Sequence, residues 1–213
     1  PNSEPYDILP HAETHVVDAV TVEELPEGLR IVVRDHYDEF TGSITWQLDR
    51  AGMTRIQSAY TYTGHDTNIR EIGVRTRLAP QCDRVTWRRW SEWGVFPEDS
   101  ISRTEGTARA WRNGATGPDK DGIVPTWPWA QDQTDMGTAD FRSIKFHIYE
   151  ASLADSTGRG AKALAQADAH CRASMAREGV WMHLISRCRL GQIPLKAGDT
   201  INDTFTLQLM GDR

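Results

Sequence analysis

The chain is poor in cysteine: three residues in 213, Cys82, Cys171 and Cys188, with no Cys-x-x-Cys pair. That excludes a disulfide framework or a zinc ribbon as the source of its stability. Cys171 and Cys188 fall on plausible neighbouring strands, but pairing them leaves one thiol over, so buried or half-buried thiols are expected. No apolar run approaches the length of a membrane-spanning helix. The opening residues, PNSEPYDILPH, lack the basic-then-apolar pattern of a secretory signal. They read as a polar, proline-rich lead-in, so 1–14 is expected to be a linker or lead-in strand and 15–213 one domain. The lead-in looks more like an interdomain linker than a true start, so a fragment of a larger protein is expected, and the expected setting is cytoplasmic. A basic tract is missing too: 24 Lys and Arg face 30 Asp and Glu, for a net charge of −6. Nucleic acid and anionic membrane surfaces are therefore poor partners, because both are polyanions.

The apolar content of 38% and a length of 213 residues suffice for a substantial core. The dominant pattern is alternation with period two. Leu29, Ile31 and Val33 alternate with Arg30, Val32 and Arg34, and Ile44, Trp46 and Leu48 with Thr45 and Gln47. The same holds for Ile72, Val74, Thr76 and Leu78, for Ile144, Phe146 and Ile148, for Val180, Met182 and Leu184, and for Phe205, Leu207 and Leu209. Each set predicts a half-buried antiparallel strand with its apolar face inward. Turn signals divide them at Pro26-Glu27-Gly28, Thr41-Gly42, Arg50-Ala51-Gly52, Gly64-His65-Asp66, Gly158-Arg159-Gly160 and Lys196 to Asp199. The alanine-rich run from Gly160 to Arg177 tempts a helical reading, but Asp168-Ala169 suits a hairpin turn between two short strands. The expected fold class is all-β, a large antiparallel sandwich. One stretch breaks the rhythm: Phe96 to Asp140 is irregular and rich in Gly, Pro, Asp and Trp, as functional loops often are.

Four of eight tryptophans crowd into Trp87 to Trp111. An indole offers a flat face to the C–H side of a pyranose, and carbohydrate sites pair such faces with a few polar groups. Trp87 follows Val85 at strand spacing and belongs in the core. Trp90 and Trp93 sit at a strand end, where a ligand could reach them. Trp127 and Trp129 flank Pro128, which restrains the backbone between them, and are the foremost sugar-platform candidates. Glu98, Asp99, Arg103 and Glu105 follow the strand end. Adjacent carboxylates point apart, whereas a retaining glycosidase needs two carboxyl groups about 5 Å apart across one bond. A turn network with Arg103 and Arg142 as cations fits them better, and Arg142 joins Trp90, Trp93, Trp127 and Trp129 as an expected sugar contact.

The order of these motifs, DRVTWRRWSEW, then FPEDSISRTEGTA, a long loop, and TADFRSIKFHIYEASL, resembles the C-terminal domain of family 2 glycoside hydrolases of the β-galactosidase type. Phe96 stands where that family often has Tyr, followed by Pro97, Glu98 and Asp99, with Arg103 shortly after. Asp140 and Arg142 match its second motif, which places Asp140 in the same turn network. The resemblance implies a β-supersandwich similar to galactose mutarotase. It further implies packing beside a catalytic TIM barrel that carries both catalytic glutamates, and no catalytic residue in this chain. Family members use a C-terminal tryptophan at the sugar site; Ser186 to Arg213 contains none, and Trp127 or Trp129 could substitute.

Two other functional classes remain open: a free-standing carbohydrate-binding module and a mutarotase-like epimerase. The epimerase needs an acid and a base across a sugar. His147 and Glu150 are near in sequence, but odd spacing sends them to opposite faces of a strand. No metal or other cofactor is expected. His11 and His15 in HAETH lack the HExxH pattern, and Asp119, Asp121, Asp132 and Asp135 lack a calcium-loop spacing.

Overall fold

The structure, a computed structural model, describes residues 9–90, 104–110, 141–176 and 179–211. These form a short 3-10 turn, Ala12–Thr14, and eleven strands. The strands are β1 (Val16–Leu25), β2 (Gly28–His36), β3 (Phe40–Asp49), β4 (Met53–Tyr62), β5 (Thr67–Leu78), β6 (Arg84–Arg89), β7 (Glu105–Arg109), β8 (Lys145–Ala154), β9 (Gly160–Ala176), β10 (Gly179–Leu195) and β11 (Thr200–Met210). The all-β, antiparallel class expected from the alternation is what the chain adopts. Among the described residues, no helix is long and apolar enough to cross a membrane.

The chain divides into two compact units. One, whose described residues are 9–74 and 185–208, carries the order β1-β2-β3-β4-β11. Its register is regular from β2 to β11, and one row crosses all five strands: Val22 lies opposite Ile31, Ile31 opposite Trp46, Trp46 opposite Ile56, and Ile56 opposite Phe205. Along that row burial deepens from Val22, 61% exposed on the edge strand, to Ile56 at 2%. Each added strand covers one more flank of its neighbour, so the apolar area removed from water grows inward. A cluster of Phe40, Tyr62, Ile72, Leu195 and Ile201 forms this unit's core. The ladder also runs through Thr41-Gly42, which lies inside β3 rather than at a turn. The reversal falls at 37–39, closed by the Tyr37 N–H on the Phe40 carbonyl (2.7 Å). Gly42 serves close approach instead: a Cβ there would stand 2.1 Å from the Ala59 carbonyl oxygen.

The other unit, whose described residues lie within 75–184 and 209–211, carries the order β7-β6-β8-β9. Trp87 is core, as expected, at 4% exposure. Its cross-strand neighbours explain how an indole fits: Gly106 and Ala151 lie opposite it on β7 and β8, and Ala163 lies opposite Ala151 on β9. Three small residues leave room for one large one at close packing. The adjacent row, Ala108, Val85, Leu153 and Ala161, is buried to 3% or less.

This unit departs from the expected pattern in three places. The run 160–176 is one continuous strand, with no hairpin at Asp168-Ala169. Ala167 instead takes a left-handed conformation (φ 64°), and Asp168 accepts the Gln166 N–H, so the three extra residues between Leu164 and Ala169 are absorbed as a bulge. Second, β8 does not bury Ile144 and Phe146 as an even-numbered set. Its register shifts on both sides of Ile148, His147 has φ 54°, and the inward residues become Lys145, Ile148, Ala151 and Leu153. Third, β7 lies within the stretch expected to be irregular; only Ala108 of its five residues is buried, which leaves a weak apolar signal. Leu209, expected inward, is 55% exposed.

The buried Lys145 is fully answered. Its Nζ donates to the Ser143 carbonyl (2.9 Å) and Oγ (3.2 Å) and to the Phe141 carbonyl (3.5 Å), and lies 4.8 Å from the Trp87 ring centroid. An ammonium out of water needs such partners, and a desolvated cation–π contact contributes about 2 kcal/mol. Cys171, wholly buried beside this layer, has its thiol pushed up to about 12 by desolvation, so it is inert.

Candidate functional site

The two bulges of β8 and β9 face each other and create a corner at the end of β6. Backbone and imidazoles are linked in series there. The Trp90 N–H donates to the His147 carbonyl (2.8 Å), and the His147 N–H donates to His170 Nδ1 (2.9 Å). A carbonyl can only accept, so His147 Nδ1 donates its proton to Ala167 O (2.9 Å), leaving Nε2 as the remaining polar atom of that exposed ring. The rings pack edge to face: Trp90 on His147 at 6.0 Å, and His147 on His170 at 4.9 Å. Phe146 closes against His170 at 5.1 Å. Trp90 is 52% exposed, whereas His170 is 7% exposed.

His170 must stay neutral to accept the backbone N–H. Burial foremost, and then the adjacent His147, push its pKa below the ordinary imidazole value. Two non-glycine residues in the left-handed region, His147 and Ala167, hold this geometry at a cost of order 1–3 kcal/mol each. The result is a half-exposed indole with an exposed imidazole packed perpendicular to it. Chemically that suits stacking on an apolar ring face together with one hydroxyl contact.

A second feature of the same unit is an open cleft of about 510 Å³ over the polar face of β6, β8 and β9, rimmed by the Asp155–Gly158 turn and Met210. The register sets its rows. Arg84 lies beside Ala154 and Gly160, Thr86 beside Ser152 and Lys162, and Arg88 beside Glu150, with Glu105 of β7 on its other flank. The hydroxyls of Thr86 and Ser152 bond each other. Glu150 is held loosely, 3.8 Å from Arg88 Nε and 4.0 Å from Lys162 Nζ. Asp155 turns inward on its own loop, accepting from the Thr157 hydroxyl (2.7 Å) and from the Thr157 and Arg159 N–H groups (2.8 and 3.0 Å). The Thr157 hydroxyl bond leads the causes that hold its carboxyl below the usual range.

Of the residues expected at a site, Trp90 stands at the corner and Arg142 lies half-buried in the turn at 141–143, lining neither corner nor cleft. Trp93, Trp127 and Trp129, and the turn residues Glu98, Asp99, Arg103 and Asp140, lie outside the described residues. Glu105 opens β7 and reaches the cleft rather than a turn. His147 and Glu150 are kept apart, one at the corner and one in the cleft. His11 and His15 are tied to carboxylates, Glu39 at 2.6 Å and Asp35 at 2.7 Å. Among the described residues, no three His, Cys, Asp or Glu side chains are grouped to hold a metal. Sequence reasoning missed His170 and the cleft. One signal for the bulge was available: apolar parity changes between Ile148 and the pair Ala151 and Leu153.

Comparison with known proteins places the fold and no more. No family model matches the chain, and no curated protein matches it. Among solved structures, it is similar to the galactosidase domain of alpha-galactosidase-sucrose kinase, AgaSK, with a TM-score of 0.55 at 9% identity. The match covers 91% of this chain and 27% of that one, so the chain spans about a quarter of the length of its structural neighbour. The likeness is one of fold: an all-β arrangement shared with part of a galactosidase.

Proposed function

We propose that the chain is an accessory domain of a β-galactosidase-like glycoside hydrolase, forming one wall of a sugar pocket beside a catalytic TIM barrel and performing no catalysis itself. The substrate class is a β-linked terminal galactose or a related sugar, and the setting is cytoplasmic. The observation that carries this reading is the half-exposed Trp90 indole, fixed edge-on by His147 at a double bulge. An exposed aromatic ring held beside an exposed imidazole by a strained backbone suits stacking on a sugar. The β-galactosidase-like order of motifs around Trp90 supports the same class, as does the fold shared with part of a galactosidase.

The test is a titration of the chain with galactosides, alone and with the barrel domain, read by tryptophan fluorescence and compared with Trp90→Ala. A wall responds only when the barrel is present, and Trp90→Ala removes the response. Millimolar binding by the isolated chain converts the reading to a free-standing binding module. A response that survives Trp90→Ala in both settings overturns the assignment of the corner.

A further inference from the structure

The geometry points to the β6–β8–β9 cleft as a second saccharide site, one that takes a sugar bearing a carboxylate, such as a uronate. The inference stands apart from the Trp90 corner, since none of the cleft's lining residues belongs to it.

Three features carry it. First, the cleft's charges are unevenly matched. Arg88 and Lys162 share Glu150, and Asp155 spends its carboxylate on its own turn. Arg84 alone among the three cations has no acidic partner among the described residues, and its Nε meets no acceptor. A guanidinium partly withdrawn from water and left uncompensated favours an anion, and its planar fork matches a carboxylate. Second, the positions across from Arg84 on β8 and β9 are Ala154 and Gly160, which carry no large side chain, while on its β7 flank stands a further cation, Arg109. Third, two residues further along β6 the floor becomes hydroxyl, Thr86 with Ser152, and then the loosely held Glu150. That step is roughly 6.6 Å along a strand, comparable with the breadth of one pyranose ring. A carboxylate at Arg84 thus places ring hydroxyls over the Thr86–Ser152 pair and within reach of Glu150 and Lys162. Glu105 and Glu150 at the far end repel the carboxylate and fix the ligand's direction.

The test is a backbone amide NMR titration of the full chain at constant ionic strength with galacturonate, galactose and acetate. The expected result is saturable shifts for galacturonate centred on residues 84–88 and 150–157, with galactose and acetate each at least tenfold weaker. Arg84→Met lowers galacturonate affinity at least tenfold, and Arg84→Lys restores part of it. Raising the salt weakens it. Equal affinity for acetate reduces the cleft to a general anion site and overturns the saccharide inference. Equal affinity for galactose overturns the carboxylate assignment, and no shifts at the cleft overturn the site. A thermal melt of Arg84→Met matching the parent shows that lost binding is not lost folding.

Discussion

The β2–β3–β4 ladder and the β8–β9 pair use the same material, long antiparallel strands, and put it to opposite uses. The ladder keeps one register from end to end, and of the residues in β2 and β3 only Asp35 and Phe40 are buried. The β8–β9 pair breaks register twice, holds two left-handed non-glycine residues, and buries a lysine and a histidine beside them. Regularity lets hydrogen bonding and half-burial share the work evenly. Irregularity concentrates strain and polar partners at one place, and that is where the exposed indole and its imidazole sit.

The sharpest way to break this contrast is through the two tryptophans. Trp87→Ala should cost about 3–5 kcal/mol in urea unfolding, because a fully enclosed indole leaves a cavity among small neighbours. Trp46→Ala on the half-buried ladder should cost clearly less; equal costs would mean the burial difference is not energetic. Next, Lys145→Met should lose about 2–3 kcal/mol, since it removes charge-assisted bonds to Ser143 and the contact with Trp87. The exposed Arg30–Glu23 pair (3.1 Å) should be worth under about 1 kcal/mol in a double-mutant cycle.

An opposite-signed pair of effects concerns the backbone. Gly42→Ala should destabilise the ladder by about 1–3 kcal/mol, because the new Cβ meets the Ala59 carbonyl. Ala167→Gly should stabilise the chain by about 1 kcal/mol by relieving the left-handed alanine. If both changes destabilise, the bulge is not strained. The smallest effect is acid-dependent. His170 has a folded pKa below its unfolded value of 6.5, so the unfolded chain takes up more protons as pH falls through that range. Stability contributed by the neutral ring is complete above pH 6.5, is lost as pH falls toward the folded pKa, and then levels off. His170→Asn, whose side-chain oxygen can still accept the His147 N–H, should flatten that slope in unfolding measured from pH 7.5 to 5. An unchanged slope would remove His170 from the coupling.

The ladder was legible in the sequence because one face of each strand is apolar and the period stays at two. Leu29, Ile31 and Val33 find Leu48, Trp46 and Ile44 opposite them with no further information. Strand β1 was not legible: Val16, Val17, Val20 and Val22 are about half exposed or more, so the residue type misstates the environment. The bulges hid for a different reason. A single inserted residue at His147 moves Lys145 inward and Phe146 aside, and period counting has no term for an insertion. At the candidate site, Trp90 could be found from its place at a strand end. His170 could not, because its role depends on a backbone N–H supplied by another strand. Arg84 could not either, since its neighbours across β8 and β9 are far away in sequence.

The valines of β1 have one more consequence, for how the molecule behaves in a crowded solution. β1 pairs only with β2 among the described strands and shows a row of half-uncovered methyl groups, the composition that invites strand-to-strand aggregation. The register slip between Val17 and Ala19 interrupts that row, and Asp18, paired with His36 at 2.9 Å, plants a charge at the slip. One misfit residue and one carboxylate thus act as gatekeepers for an edge that would otherwise be sticky.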